Sequence, residues 1–228
     1  MTAPGLTRRA LVVCVVSLVS LAVSAALVVA QWRPLLECDL AVGAWLHGIA
    51  VDHPALVRAA DVIAVVFSPS VFRVLVLALA GWLLWQHRSW LAFWAVLAMT
   101  VGGAVGLIGK MLTARARPSF PDPVGHAPGY SFPSGHAINA ALGVLVILVV
   151  VLPSIRRRAV RIAAVSAGIV VVLVTGLDRM VLGVHYLTDV VAAWLAAVAV
   201  VAGTAHALRG RLEPPPEPDR QPTSVREL

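Results

Sequence analysis

Uncharged apolar runs recur along this chain at close to the length of a bilayer's hydrocarbon core, and no other feature limits its fold as strongly. Residues 10–30 carry no charge; as helix, at about 1.5 Å per residue, that run crosses roughly 30 Å. Further apolar runs follow at 69–86, 89–109, 137–152, 162–177 and 184–208. In hydrocarbon every backbone N–H and C=O needs a partner inside its own segment, which leaves helix as the structure for such runs. The pattern therefore predicts an all-α, polytopic six-helix transmembrane bundle. Composition agrees, with 13% charged residues against about 25% in soluble domains. The first run also resembles a cleaved signal peptide ending at Ala30. It exceeds the ~7–15 apolar residues of such signals, so a retained anchor is favoured. A net charge of +7 would suit nucleic acid, but the arginines are scattered between apolar runs, as topology signals are.

The runs divide the chain into a basic head at 1–9, a six-span domain at 10–208 and a polar, proline-rich tail at 209–228, expected to be disordered. Residues 31–68 are mixed and predict an external segment with one or two short interfacial helices. Arg73, inside the second span, has to snorkel to the boundary. Gly102, Gly103 and Gly106 give the third span a small-residue packing face. Arg8, Arg9, Arg88, Arg156, Arg157, Arg158, Arg161, Arg209 and Arg211 fall on one side of six spans, and Arg33, Arg58, Arg73 and Arg115 on the other. This asymmetry puts both termini in the cytoplasm. Trp82, Trp85, Trp90 and Trp94 fit an inner aromatic belt, and Trp32 an outer one. Cys14 and Cys38 are too far apart in this arrangement for a disulfide.

Two polar interruptions then share the outer face. Residues 110–136 begin at Lys110, the only lysine in the chain, pass Arg117-Pro118 and close with Pro133-Ser134-Gly135-His136. The second interruption holds Arg179, His185 and Asp189. Lys110, Arg117 and Arg179 supply three cations for a phosphoryl group, arginine through a planar fork that keeps its charge. Ser134 is placed to cap the fourth span, aiming the amides of Gly135 and His136 at an anion. His185 and Asp189, four apart, are expected on one helix face, where the carboxylate fixes the ring's tautomer and frees its other nitrogen to attack phosphorus. His136, from another helix, is placed to protonate the leaving oxygen. The two histidines need opposite protonation states, so their surroundings should separate their pKa values. Each cluster also has a plainer reading: interfacial charges for Lys110 and Arg117, a simple helix start at 133–136, a structural pair for His185 and Asp189. His47, His53, His87, His126 and His206 lack partners at informative spacing, and the seven histidines form no metal-site pattern.

Together, Lys110-x6-Arg117-Pro118, Pro133-Ser134-Gly135-His136 and Arg179-x5-His185-x3-Asp189 resemble the three signature motifs of the type 2 phosphatidic acid phosphatase superfamily, over about residues 89–205. The resemblance implies that Lys110, Arg117 and Arg179 bind phosphate with help from Ser134 and Gly135. It further implies that His136 is the general acid, that His185 is the nucleophile forming a phosphohistidine, and that Asp189 orients it, with no metal and no cofactor. The partners implied are a lipid phosphate substrate and membrane lipids, not nucleic acid. The implied activity is hydrolysis of a lipid phosphate or polyprenyl diphosphate, undecaprenyl diphosphate being the leading expectation for an extracytoplasmic site in the cell membrane. Phosphatidic acid and phosphatidylglycerol phosphate are the alternatives. Vanadium haloperoxidases share the constellation, and a catalytically silent lipid-binding protein is a further rival. One position departs: Asp178 stands where the family commonly has serine, and is expected to brace Arg179 or another cation.

Overall fold

The structure, a computed structural model, describes residues 4–212. Residues 1–3 of the head, and the expected tail beyond 212, lie outside them. Helices follow one another as α1 (Pro4–Val29), α2 (Arg33–Asp52), α3 (Pro54–Val66), α4 (Pro69–Trp85), α5 (Ser89–Thr113), α6 (Gly135–Val151), α7 (Arg158–Val181), α8 (Leu187–Ala207) and a single turn, α9 (Arg209–Leu212). Among the described residues there is no strand. Local chemistry sets several boundaries. Pro34, Pro54 and Pro69 each stand in the first turn of α2, α3 and α4, where the ring pre-sets φ and the missing N–H has no helical acceptor anyway. Ala114, at φ 43°, turns the chain out of α5. Gly183, at φ 66°, turns it out of α7, a left-handed conformation glycine adopts freely.

Seven helical stretches are long and apolar enough to cross a membrane, and with large side chains such as Val65, Leu112 and Trp85 more than two-thirds exposed they make this a multi-pass membrane protein. In lipid the apolar effect does not drive helices together; close van der Waals packing does. Accordingly, Ala192, Ala193, Ala196 and Ala197 of α8 are wholly buried, and α1, α5 and α6 pack along that helix. On α5, Gly102 faces Leu142 and Gly106 faces Ile138 of α6, while Gly109 faces Pro133. The small-residue face thus seats α5 against α6 and against the segment that leads into it.

The seventh stretch is α2. It is a 20-residue helix rather than the short interfacial piece expected, and its polar and aromatic contacts lie at the end of the bundle that carries the polar loops. Asp39 near its start bonds to Arg115 and Thr188. His47 stacks on Phe120 at 4.1 Å between ring centroids, and Ala50 and Val51 share a cavity with residues 121–124. From there α3 packs on α7. Trp94 also departs from expectation. Instead of joining a belt it is fully buried and donates its indole N–H to Thr204 of α8 at 3.1 Å. Arg73 finds a partner inside the protein, its Nε donating to Asn139 Oδ1 of α6 at 3.2 Å.

Candidate active site

The last turn of α5, the 114–134 loop, the first turn of α6, the last turn of α7 and the turn into α8 meet at one end of the bundle. A backbone bond ties the two motif-bearing halves together, with Ser134 N–H donating to the Asp189 carbonyl at 3.0 Å. Ser134 is the N-cap of α6, its hydroxyl accepting from the Ala137 amide at 3.5 Å. The following amides, Gly135 and His136, have no carbonyl one turn earlier to bond to. A Cβ at Gly135 would meet nothing within 4 Å, so the backbone there is open to a ligand's approach.

The cations arrive from three elements. Lys110, in the last turn of α5, donates its Nζ to the Tyr130 carbonyl at 2.5 Å. Arg117 lies in the loop, held by the carbonyls of Pro128, Gly129 and Val184 at 2.7–3.0 Å. Arg179 is buried in the last turn of α7, where its Nε and one terminal nitrogen bond Asp178 at 3.0 and 2.9 Å. Asp178 and Arg179 therefore form a forked ion pair between neighbours. That pairing lets both lie within a helix running to Val181, past the expected end at 177. The charges of Arg179 and Arg117 reach the His136 ring, and that of Asp189 reaches Lys110 and Arg117. A cavity of about 290 Å³ adjoins Arg117 and Val184.

His185 Nδ1 faces Asp189 Oδ2 at 3.4 Å and its Nε2 faces an Arg117 nitrogen at 3.1 Å. A carboxylate only accepts and a guanidinium only donates. The tautomer that satisfies both carries its proton on Nδ1 and a bare lone pair on Nε2. Burial lowers the pKa of this ring, while Asp189 opposes the shift. The pair is not made as the spacing suggested. α8 starts at Leu187, so His185 precedes the helix instead of sharing a face with Asp189. Asp189 is the third residue of α8 and turns back to accept from the Tyr186 amide at 2.9 Å. It meets His185 through this capping turn.

Two further residues, unmarked by the motifs, belong to the same cluster. Arg115 donates to Asp189 Oδ1 at 2.8 Å and to Asp39 Oδ2 at 2.6 Å. Asp39 Oδ1 accepts from both the amide and the hydroxyl of Thr188, each at 2.9 Å. Asp39 lies on α2, and no local spacing links it to its partners. Among the described residues no group of three His, Cys, Asp or Glu side chains is placed to share a metal ion.

A membrane-spanning helical bundle with cations and imidazoles clustered at one end defines the class of protein. The chain belongs to the PAP2 superfamily, whose sequence profile matches residues 91–213. It is 41% identical over 101 residues to phosphatidylglycerophosphatase B of Bacillus subtilis, covering 42% of this chain and 48% of that one. It is 35% identical over 109 residues to decaprenylphosphoryl-5-phosphoribose phosphatase of Mycolicibacterium smegmatis, covering 46% of this chain and 53% of the relative. With Escherichia coli phosphatidylglycerophosphatase B it shares 39% identity over 98 residues, 41% of this chain and 36% of that protein. The chain thus spans about half the length of these relatives or less. Its fold is that of the crystal structure of a transmembrane PAP2-type phosphatidylglycerolphosphate phosphatase from Bacillus subtilis. The TM-score is 0.77 at 20% identity, over 88% of this chain and 97% of the other.

Proposed function

We propose that this protein is an integral membrane phosphatase that removes a terminal phosphate from a lipid at the extracytoplasmic face of the cell membrane. The observation that carries the reading is His185, with Nδ1 against Asp189 and Nε2 against an Arg117 nitrogen, a pairing that leaves Nε2 unprotonated. On binding, the phosphoryl oxygens take the donors of Lys110, Arg117 and Arg179 and the amides at Gly135 and His136. Arg117 gives up its bond to Nε2, and that lone pair attacks phosphorus. As the P–O bond to the lipid breaks, His136 delivers a proton to the departing oxygen. Water then cleaves the N–P bond, passing a proton to His136, and inorganic phosphate leaves. The cations neutralise charge that builds on the phosphoryl oxygens during both steps.

The relatives' names support a choice of head group. A phosphatidylglycerophosphate and a phosphoribosyl polyprenyl phosphate both end in a phosphomonoester, so a terminal phosphomonoester is favoured over undecaprenyl diphosphate. The test is phosphate release by the purified protein from phosphatidylglycerol phosphate, phosphatidic acid and undecaprenyl diphosphate, with His185→Ala as control. Release from at least one monoester is expected, falling to background in His185→Ala while the variant still extracts and elutes as the wild type does. Wild-type turnover by His185→Ala would remove the mechanism.

A further inference from the structure

The cluster beyond Asp189 is buried, charged and far larger than a histidine partner requires. Asp39, Arg115 and Asp189 are 1%, 9% and 0% exposed. Taking such charges out of water costs several kcal/mol each, and apolar residues of similar volume would join the same elements at least as well. Stability alone is therefore a poor reason for placing them here.

We infer that Asp39 and Arg115 are positioning residues for the proposed reaction: a relay running Asp39–Arg115–Asp189 that fixes the carboxylate orienting His185, and so makes α2 part of the catalytic apparatus. This rests on the phosphatase reading above. Both carboxylates are engaged at both oxygens. Arg115 is a rigid planar fork with one prong on each carboxylate, and its guanidinium lies over the Tyr186 ring at 4.1 Å. Its own carbonyl accepts from the amide and hydroxyl of Ser131, three residues before Ser134. Asp189 Oδ1 is thereby occupied, and only Oδ2 remains for the Tyr186 amide and His185. A rotation of Asp189 that would let His185 swing breaks the Arg115 bond. Asp39 blocks that motion from the far side, because its second oxygen is pinned to the first turn of α8 through Thr188.

The experiment is a double-substitution cycle on whichever of the three lipid phosphates the wild type hydrolyses. Asp39→Asn and Arg115→Met are each made alone and together with Asp189→Asn. Asp39→Asn keeps the shape of the side chain and an oxygen for Thr188, and Arg115→Lys serves if Arg115→Met does not accumulate folded. Alone, each substitution should lower kcat on the order of 10- to 100-fold, the usual effect of losing a partner behind a site ligand. KM, and inhibition by inorganic phosphate, should stay within about twofold, because the phosphate cradle is untouched. With Asp189→Asn already present the same substitutions should change kcat less than about threefold, since residues acting through one another are non-additive. Full additivity, or unchanged kcat in a folded Arg115 variant, overturns the relay while the phosphatase reading stands. A wild type that releases phosphate from none of the three lipids removes both.

Discussion

Asp178, where the motif resemblance leads one to expect a serine, sits beside Arg179, and the physics there runs in two directions. A carboxylate beside a phosphate site repels the substrate, yet this one is bound through both oxygens to Arg179. Counting Lys110, Arg115, Arg117 and Arg179 against Asp39, Asp178 and Asp189, with the histidines neutral, leaves the cluster at plus one (4 − 3) before substrate enters. The fork holds Arg179 in one orientation with a donor to spare. Asp178→Ala releases a buried guanidinium from two charge-assisted bonds worth about 1.5–3 kcal/mol. KM is expected to rise about tenfold in steady-state assays with a smaller change in kcat; higher turnover combined with a lower KM would rule the bracing out. His185 gives the pH dependence. In the proposed reaction the attacking form is the neutral ring, and burial holds its pKa below the ordinary value near 6.5. The group therefore stays neutral as pH falls through 6.5, and the acid limb of kcat/KM that it sets should lie below that value. A limb well above pH 6.5 that vanishes in His185 variants would reverse the assignment.

Glycines on α5 set how closely α6 approaches, and one of them reaches the site. A Cβ on Gly109 would lie 2.7 Å from Pro133 Cδ, a ring atom in the segment that delivers Ser134, Gly135 and His136. Unlike the Leu142 side chain opposite Gly102, that ring cannot rotate away. Gly109→Ala should therefore displace the start of α6 from Asp189 and cost about 1–3 kcal/mol, as overpacking does. The measurable result is a drop in kcat together with a lower midpoint of thermal unfolding in detergent. Wild-type values for both would show that the contact relaxes freely. This contact also marks how far the sequence could be read. Apolar runs placed α1, α4, α5, α6, α7 and α8 to within about six residues at either end, but the mixed stretch hid the length of α2 and α3. The motif spacing singled out Lys110, Arg117, His136, Arg179, His185 and Asp189, which the fold gathers at one end. Spacing could not reveal what joins distant segments. Asp39 meets Arg115 and Thr188 across 76 and 149 residues, and in the sequence it is one acid among several in a mixed stretch. Nor could a four-residue interval distinguish a shared helix face from the capping turn that pairs His185 with Asp189.

The whole molecule poses a question that its helix lengths leave open, because α2 satisfies the dimensions of a span and its contacts do not suit one. Cys14 of α1 lies against Gly203 of α8, Trp94 of α5 bonds Thr204, and Arg211 stacks over Trp90 at 4.8 Å. The start of α1, the turn before α5 and the end of α8 therefore share one end of the bundle. Asp39 and His47 of α2 touch residues at the opposite end, and Ala50 and Val51 line a cavity with residues 121–124 there. On this reading α1 crosses once, α2 and α3 return nothing across the bilayer, and α4 makes the second crossing. Six crossings would put Arg8 and Arg209 on the same, arginine-rich side, where Arg8, Arg9, Arg88 and Arg156–Arg158 favour cytoplasmic placement. A seventh crossing by α2 would put them on opposite sides. Single cysteines at Arg8, Asp52, Ser119 and Arg209 in a cysteine-free background, probed with an impermeant thiol reagent on intact cells, separate the two. Asp52 and Ser119 should label from outside, with Arg8 and Arg209 protected until the cells are opened. Labelling at Arg8 together with Asp52 and Ser119, with Arg209 alone protected, would make α2 a span and detach its start from the site. The bonds from Asp39 could then not form, because a helix that leaves the outer face cannot hold both Ala50 against the outer loop and Asp39 against Arg115.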